Sequence, residues 1–295
     1  MKILVTGGNG QLGCSLRLAT AESPHRYIFT DVEELDITSA EAVEAFFRCE
    51  KPAVVVNCAA YTAVERAEED EVQADKINHQ AVALLADACK RYDATLVHIS
   101  TDYIFSGDAD VPYTEEVAPA PINTYGCTKL AGEMAVAESG CKSIILRTSW
   151  LYSEFGNNFV KTIQSLMATR SEVRVVADQI GTPTYAGDLA AAITYIINSE
   201  QLDKLGTYHY SNEGACSWYD FACEIARLSG SDCKVTPCTT EEFPTKARRP
   251  RYSVLDKGKF VSTFKKRDEG TPLIFCKGTK KRDANQQKGL IFEVR

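Results

Sequence analysis

The sequence predicts an α/β fold, a doubly wound parallel sheet with a smaller C-terminal lobe. Three observations predict it. Short apolar runs alternate with longer helical patterns through the first half of the chain, the signature of βαβ units. The runs are nearly continuous Val, Ile and Leu, as suits strands covered on both faces. After about Tyr152 the alternation loosens, and helical segments are separated by short strand-like pieces.

Taken in order, "KILVT" reads as the first strand, with a helix beginning after Gly13. "RYIFTD" is the second strand. "SAEAVEAFFRC" is helical, with Ser39 as N-cap. "AVVVNCAA" is a buried strand, and a long charged helix follows from about Val64 to Arg91. "ATLVHIST" and "SIILRTSWLY" read as the next two strands. Beyond them, "NNFVKTIQSLMATR" and "SWYDFACEIARLS" are helical, while "EVRVVAD" and "GTYHYS" are strand-like and belong to the second lobe. "AGDLAAAITYIINS" is apolar enough to return to the main sheet.

The bulk numbers exclude several classes. The chain has 295 residues, 44% of them hydrophobic and 25% charged, with net charge −7 and pI near 5.3. An acidic chain is not expected to have nucleic acid as its main partner. Eleven cysteines are scattered without a CxxC pair, so free thiols in a reducing cytoplasm are expected rather than a disulfide framework. The histidines stand alone, and no zinc spacing appears. Met1-Lys2 leads directly into an apolar strand, which argues against a signal peptide, and no run approaches the roughly 20 apolar residues of a membrane span.

"VTGGNGQLG" sets Gly7, Gly10 and Gly13 at GxxGxxG spacing directly after the first strand. A Gly-rich turn with no ligand is the plain alternative. With a strand before it and a helix after it, the loop instead predicts a Rossmann-type dinucleotide site. The chain must turn sharply, admit a pyrophosphate to its N–H groups and pack the helix against the strand. Asp31 ends the second strand at the spacing of a carboxylate that accepts from a ribose 2′-OH, or it is a solvated turn residue. No arginine follows it, which leans toward NADH over NADPH. Asp36 either touches the adenine edge or caps a helix. The expected division is a dinucleotide-binding domain at 1–152, rejoined by 184–205. A second lobe would occupy 153–183 and 206–264, with a divergent tail at 265–295.

Four further stretches, "NCAAYTAVERAE", "ISTDYIFSG", "YGCTK" and "DQIGTPTYAGDLA", combine with the glycine loop. Together they resemble the extended short-chain dehydrogenase/reductases and, within them, the dTDP-4-dehydrorhamnose reductase family. The match runs over roughly residues 1–262, including "RRPRYSVLDKGK". The resemblance implies reduction of the C4 keto group of a nucleotide-activated deoxysugar with NADH or NADPH, in rhamnose and cell-surface polysaccharide synthesis. It implies Thr101, Tyr125 and Lys129 as the catalytic trio. Gly7, Gly10, Gln11, Leu12, Gly13, Asp31 and Asp36 would hold the cofactor, with Ala59, Ala60, Tyr61, Tyr125 and Lys129 beside it. Thr62, Val64, Thr101, Asp102, Tyr103 and Trp150 would face the sugar nucleotide. No catalytic metal is implied. In some relatives a Mg2+ links a dimer, but no spacing here demands one, and monomer and homodimer both stay open.

The residues themselves make sense of the trio. Positions i and i+4 share a helix face, so Tyr125 and Lys129 can meet. A free tyrosine near pKa 10 is a poor acid–base group at neutral pH, and a nearby ammonium is expected to lower it. Alone, the pair would read as an amphipathic surface feature. Trp150 is either a core residue at a strand end or a stacking surface for the substrate. "QIGTPTYAG" is either a turn or a loop shaping the nucleotide pocket. Cys127 and the run "ERAEEDE" read as packing and as a solvated helix face.

Beyond about Phe264 the resemblance fails. Basic "KKRDEG" and "KKRDAN" replace the family's closing helix, as a shifted frame or a diverged tail would, and the segment is expected to pack loosely. Two rival readings stay open. One is an epimerase or dehydratase of the same superfamily, disfavoured for the dehydratase because only Asp102 follows Thr101. The other is a non-catalytic regulatory subunit like that of methionine adenosyltransferase, which shares the loop and a YxxxK.

Overall fold

The computed structural model describes residues 1–264. The expected tail, with its loose packing and its faint repeat, lies outside the described residues.

Six parallel strands form the main sheet. Its order is Arg26–Thr30, Lys2–Thr6, Val54–Asn57, Thr95–Thr101, Lys142–Thr148, Gly206–His209. Register is fixed by pairs such as Val5 with Phe29 and with Val56. The central strands are buried throughout, with Ile3, Val5, Val55, Val56 and Leu96 at 0% exposure. Burial of each such side chain contributes about 1.5–3 kcal/mol, which is why the apolar runs were legible as strands.

Helices cover both faces. On one, Leu12 and Leu16 of Gln11–Ala19 meet Leu189, Ile193 and Ile196 of Ala186–Asn198 over the sheet. On the other, Val43 and Phe47 of Ala40–Glu50 pack with Val82, Leu85 and Val136. Ser39 caps Ala40–Glu50 by accepting from the Ala42 N–H at 3.2 Å. A separate core lies in the smaller lobe. There Phe159–Thr169 and Trp218–Ser229 pack on a parallel pair, Glu172–Val176 with Lys234–Cys238.

Three expected elements differ. The single helix over 64–91 is broken into Val64–Ala67, Glu71–Asp75, a π-helical turn at Lys76–Gln80, and Ala81–Arg91. The buried Asn78 sits in the π turn. Its amide bonds both backbone groups of Tyr61, at 2.8 and 3.1 Å, and reaches the Thr128 hydroxyl at 3.1 Å. Such a bulge re-aims one side chain, often at a functional site. The strand read through Tyr152 stops at Thr148, because Trp150 takes a left-handed backbone, φ 47°, before Leu151–Tyr152 pairs elsewhere. Gly206–His209, assigned from sequence to the second lobe, instead joins the main sheet beside Lys142–Thr148. Phe260 and Phe264 follow it into the main core.

Candidate active site

The glycine loop sits at the C-terminal edge of the sheet, where open α/β sheets bind ligands. Gly7 adopts φ 64°, and a Cβ there would lie 2.7 Å from the Ala59 N. A Cβ on Gly13 would lie 2.3 Å from the Gly7 carbonyl oxygen. The loop therefore tolerates only glycine at both points. Gly10 precedes the first turn of Gln11–Ala19, whose free N–H groups form an anion site. These features fit a dinucleotide pyrophosphate.

The expected cofactor residues do not stand alike around it. Asp31 faces the loop and accepts from the Asn9 N–H at 3.1 Å. Asp36 is engaged locally. Thr38 donates to it from hydroxyl and backbone, at 2.7 and 2.9 Å, and those bonds hold its carboxyl below the usual range. Leu12 puts its side chain in the core, so only its backbone is available to a ligand. Gln11 accepts from Ser153 and Asn158 at 3.1 and 3.0 Å, tying the helix start to the chain that enters the second lobe. Ala59 lies against Gly7, and Ala60 follows it. Tyr61 is pinned by Asn78, with its hydroxyl directed to Asp70 at 3.3 Å.

The helix Thr124–Ser139 starts where the proline stretch ends. Asn123 caps it by accepting from the Gly126 N–H at 2.8 Å. This carries Tyr125 and Lys129 to the end of Thr95–Thr101. Burial pushes the half-buried Tyr125 phenol well above its ordinary pKa, and a hydrogen bond with Thr101 pulls the other way. Asp102 and Tyr103 raise it further. The Tyr103 ring meets it edge-on at 5.6 Å. Lys129 is not among the groups acting on the phenol. The expected lowering by the ammonium is thus corrected to a raised pKa, because desolvation dominates.

Lys129 is only 2% exposed, and its ammonium donates to the Ile99 carbonyl at 2.6 Å. Burial lowers its pKa to about 8, against the opposing pull of Glu133 and Cys58. Asp102 is also buried. Burial raises its carboxyl to about 7, partly offset by hydrogen bonds from Ser253 and Thr101.

Of the expected substrate residues, Thr101, Asp102 and Tyr103 are contiguous with Tyr125. Thr62 is exposed just ahead of the short helix Val64–Ala67, which the half-buried Val64 opens. Trp150 stands across the sheet edge, stacked on Trp218.

Sequence reasoning missed a buried polar layer behind the site. Arg147 holds Glu133 through two nitrogens, at 2.7–3.2 Å, and Ser100 donates to the same carboxylate. Burial, then the Arg147 charge, lowers His209 to about 3. Arg249 was also missed. It bonds Glu65 at 2.7 Å and acts on Tyr103, whose phenol burial pushes up to about 12. The "RRPRYS" motif was its only signal. Among the described residues no group of three or more His, Cys, Asp or Glu side chains converges, and the cysteines are free. No helix among the described residues is long and apolar enough to cross a membrane.

Fold and site together define a dinucleotide-binding α/β protein with a Thr–Tyr–Lys constellation at the strand ends. The RmlD substrate binding domain family matches residues 1–269. A dTDP-4-dehydrorhamnose reductase of Aggregatibacter actinomycetemcomitans is 40% identical over 89% of this chain and 93% of its own length. A solved dTDP-4-dehydrorhamnose reductase of Clostridium acetobutylicum superposes with a TM-score of 0.85 at 49% identity, over 89% of this chain and 92% of that one. A second, from Bacillus anthracis and in complex with NADP, gives 0.85 at 42%, over 88% and 91%. The chain belongs to the RmlD family of dTDP-4-dehydrorhamnose reductases. A UDP-glucose 4-epimerase of Thermus thermophilus, 22% identical with a TM-score of 0.77 over 93% of this chain and 96% of that one, shares the fold.

Proposed function

We propose that the chain reduces the C4 keto group of dTDP-4-dehydro-L-rhamnose, giving dTDP-L-rhamnose for cell-surface polysaccharide. The observation that carries this reading is the convergence of Thr101, Tyr125 and the buried Lys129 at the end of Thr95–Thr101, in a chain of this family. The regulatory-subunit and epimerase readings have no comparable observation behind them.

The nicotinamide, when bound, supplies hydride to C4. Negative charge then develops on the C4 oxygen. Tyr125 donates a proton to that oxygen, and its raised pKa keeps it protonated for the task. Thr101 hydrogen-bonds the same oxygen. Lys129, charged near neutrality, places a cation at the nicotinamide ribose beside the reacting atoms. Gly7, Gly10, Gly13 and the backbone of Gln11 and Leu12 receive the pyrophosphate. Asp31 accepts from the adenosine ribose, which leans toward NADH. Thr62, Val64, Asp102, Tyr103 and Trp150 form the sugar-nucleotide side. Residues 1–152 and 184–205 serve the cofactor, and 153–183 with most of 206–264 serve the substrate. The protein acts in the cytoplasm as a monomer or homodimer.

The test is oxidation of NADH or NADPH by the purified protein with dTDP-4-dehydro-L-rhamnose. Cofactor binding without turnover would return the regulatory reading to first place.

A further inference from the structure

The chain has two tryptophans, and they are stacked on each other. The rings of Trp150 and Trp218 lie 3.5 Å apart between centroids and 8° from parallel. One of them is strained. Trp150 holds φ 47°, a conformation that a bulky side chain seldom adopts and that persists only where its surroundings over-determine it.

The surroundings do so here. Ser149 donates to the Thr182 carbonyl at 2.6 Å, and the Trp150 carbonyl accepts from the Thr184 N–H at 3.2 Å. Gly181 leaves room for the indole, since a Cβ there would come within 2.4 Å of its Cε2. Trp218 is fixed as the first residue of its helix by the Ser217–Asp220 capping box. Phe159 closes its other side at 4.5 Å. The second lobe therefore delivers a rigid ring to a strained turn at the end of the main sheet.

We propose that Trp218 is a positioning residue for the sugar nucleotide. It acts through Trp150, holding that indole in the left-handed turn so that it forms a ready wall of the substrate pocket. This rests on the reading of Trp150 as a substrate-side residue. Nothing in the reaction needs Trp218 to touch the substrate. A pre-set ring costs the ligand nothing to order, so its loss is felt in binding more than in turnover.

The experiment is steady-state kinetics and spectroscopy on Trp218→Leu, Trp218→Phe, Trp150→Leu and the double leucine variant. Trp218→Leu should raise KM for the dTDP sugar at least about fivefold, the scale of a lost aromatic pair and its ordering. It should leave kcat within about twofold and the Kd for NADPH unchanged. The circular-dichroism couplet of two coupled indoles should vanish with it. Trp218→Phe should restore most of KM, and the double variant should be no worse than Trp150→Leu alone. Should Trp218→Leu fail to fold, Gly181→Ala disturbs Trp150 while leaving Trp218 in place, and should raise KM in the same way. A lost couplet with wild-type KM overturns the inference, as do effects that multiply in the double variant. If the wild type does not turn over, quenching of the paired fluorescence by dTDP-L-rhamnose decides: weaker binding in Trp218→Leu supports the inference, equal binding overturns it alone. No quenching in the wild type overturns both it and the substrate reading.

Discussion

Raising the pH should switch off Lys129 before it reaches Tyr125. Burial sets the Lys129 ammonium at about 8, while the Tyr125 phenol is pushed above its ordinary value. Lys129 is then about nine-tenths charged at pH 7, about half at pH 8 and about one-tenth at pH 9. Tyr125 stays protonated throughout. The rate of keto-sugar reduction, followed as kcat/KM, should be level from about pH 6 to 7 and fall about tenfold per unit above about pH 8. The same shift has a stability consequence. The folded-state pKa lies below the unfolded one, so the folded chain pays to keep the charge at low pH. The fall from 10.5 to about 8 corresponds to roughly 3 kcal/mol. That penalty is fully present below about pH 8 and disappears as pH rises toward 10.5. Urea melts of Lys129→Met against wild type should show the wild type gaining on the variant by roughly 2.5 kcal/mol from pH 7 to pH 10. A wild-type rate that holds level to about pH 9.5, with no change in that stability gap, would refute the desolvated-lysine argument.

Other expectations follow from the same geometry. Tyr125→Phe should lose at least about a hundredfold in turnover yet bind cofactor normally, and Thr101→Val should lose rate with little change in cofactor affinity; a Tyr125→Phe enzyme near wild-type speed sinks the proton-donor role. Asp31→Ala should weaken NADH by up to about 1.5–3 kcal/mol and NADPH less, read as the ratio of the two dissociation constants; an unchanged ratio removes Asp31 from the site. Asp102 runs opposite to an ordinary carboxylate. Its pKa is raised to about 7, so the wild type loses stability as pH rises from about 4 to 7. Asp102→Asn should therefore gain on the wild type over that window in paired thermal melts, and a constant difference would show that burial does not govern this group.

The local pattern of the chain was enough for the sheet and for the first half of the site. Strand burial leaves unbroken apolar runs, and a turn that needs φ 64° at Gly7 and close approach at Gly13 leaves glycines at fixed spacing. The i, i+4 pairing of Tyr125 and Lys129 is likewise a property of one helix. Tertiary structure decided the rest, because it depends on groups distant in sequence. Gly206–His209 reads as a short polar strand until Lys142–Thr148 offers it an edge. The helix over 64–91 takes a π turn where Asn78 finds partners at Tyr61 and Thr128. The strand at Trp150 ends because Trp218, about 70 residues on, and Gly181 hold its ring. Charge in the site follows the same rule. A lysine in YxxxK is expected to lower its tyrosine, but burial acts on every titratable group at once. Only the packed structure shows that desolvation raises the Tyr125 phenol and brings Lys129 and Asp102 toward neutrality.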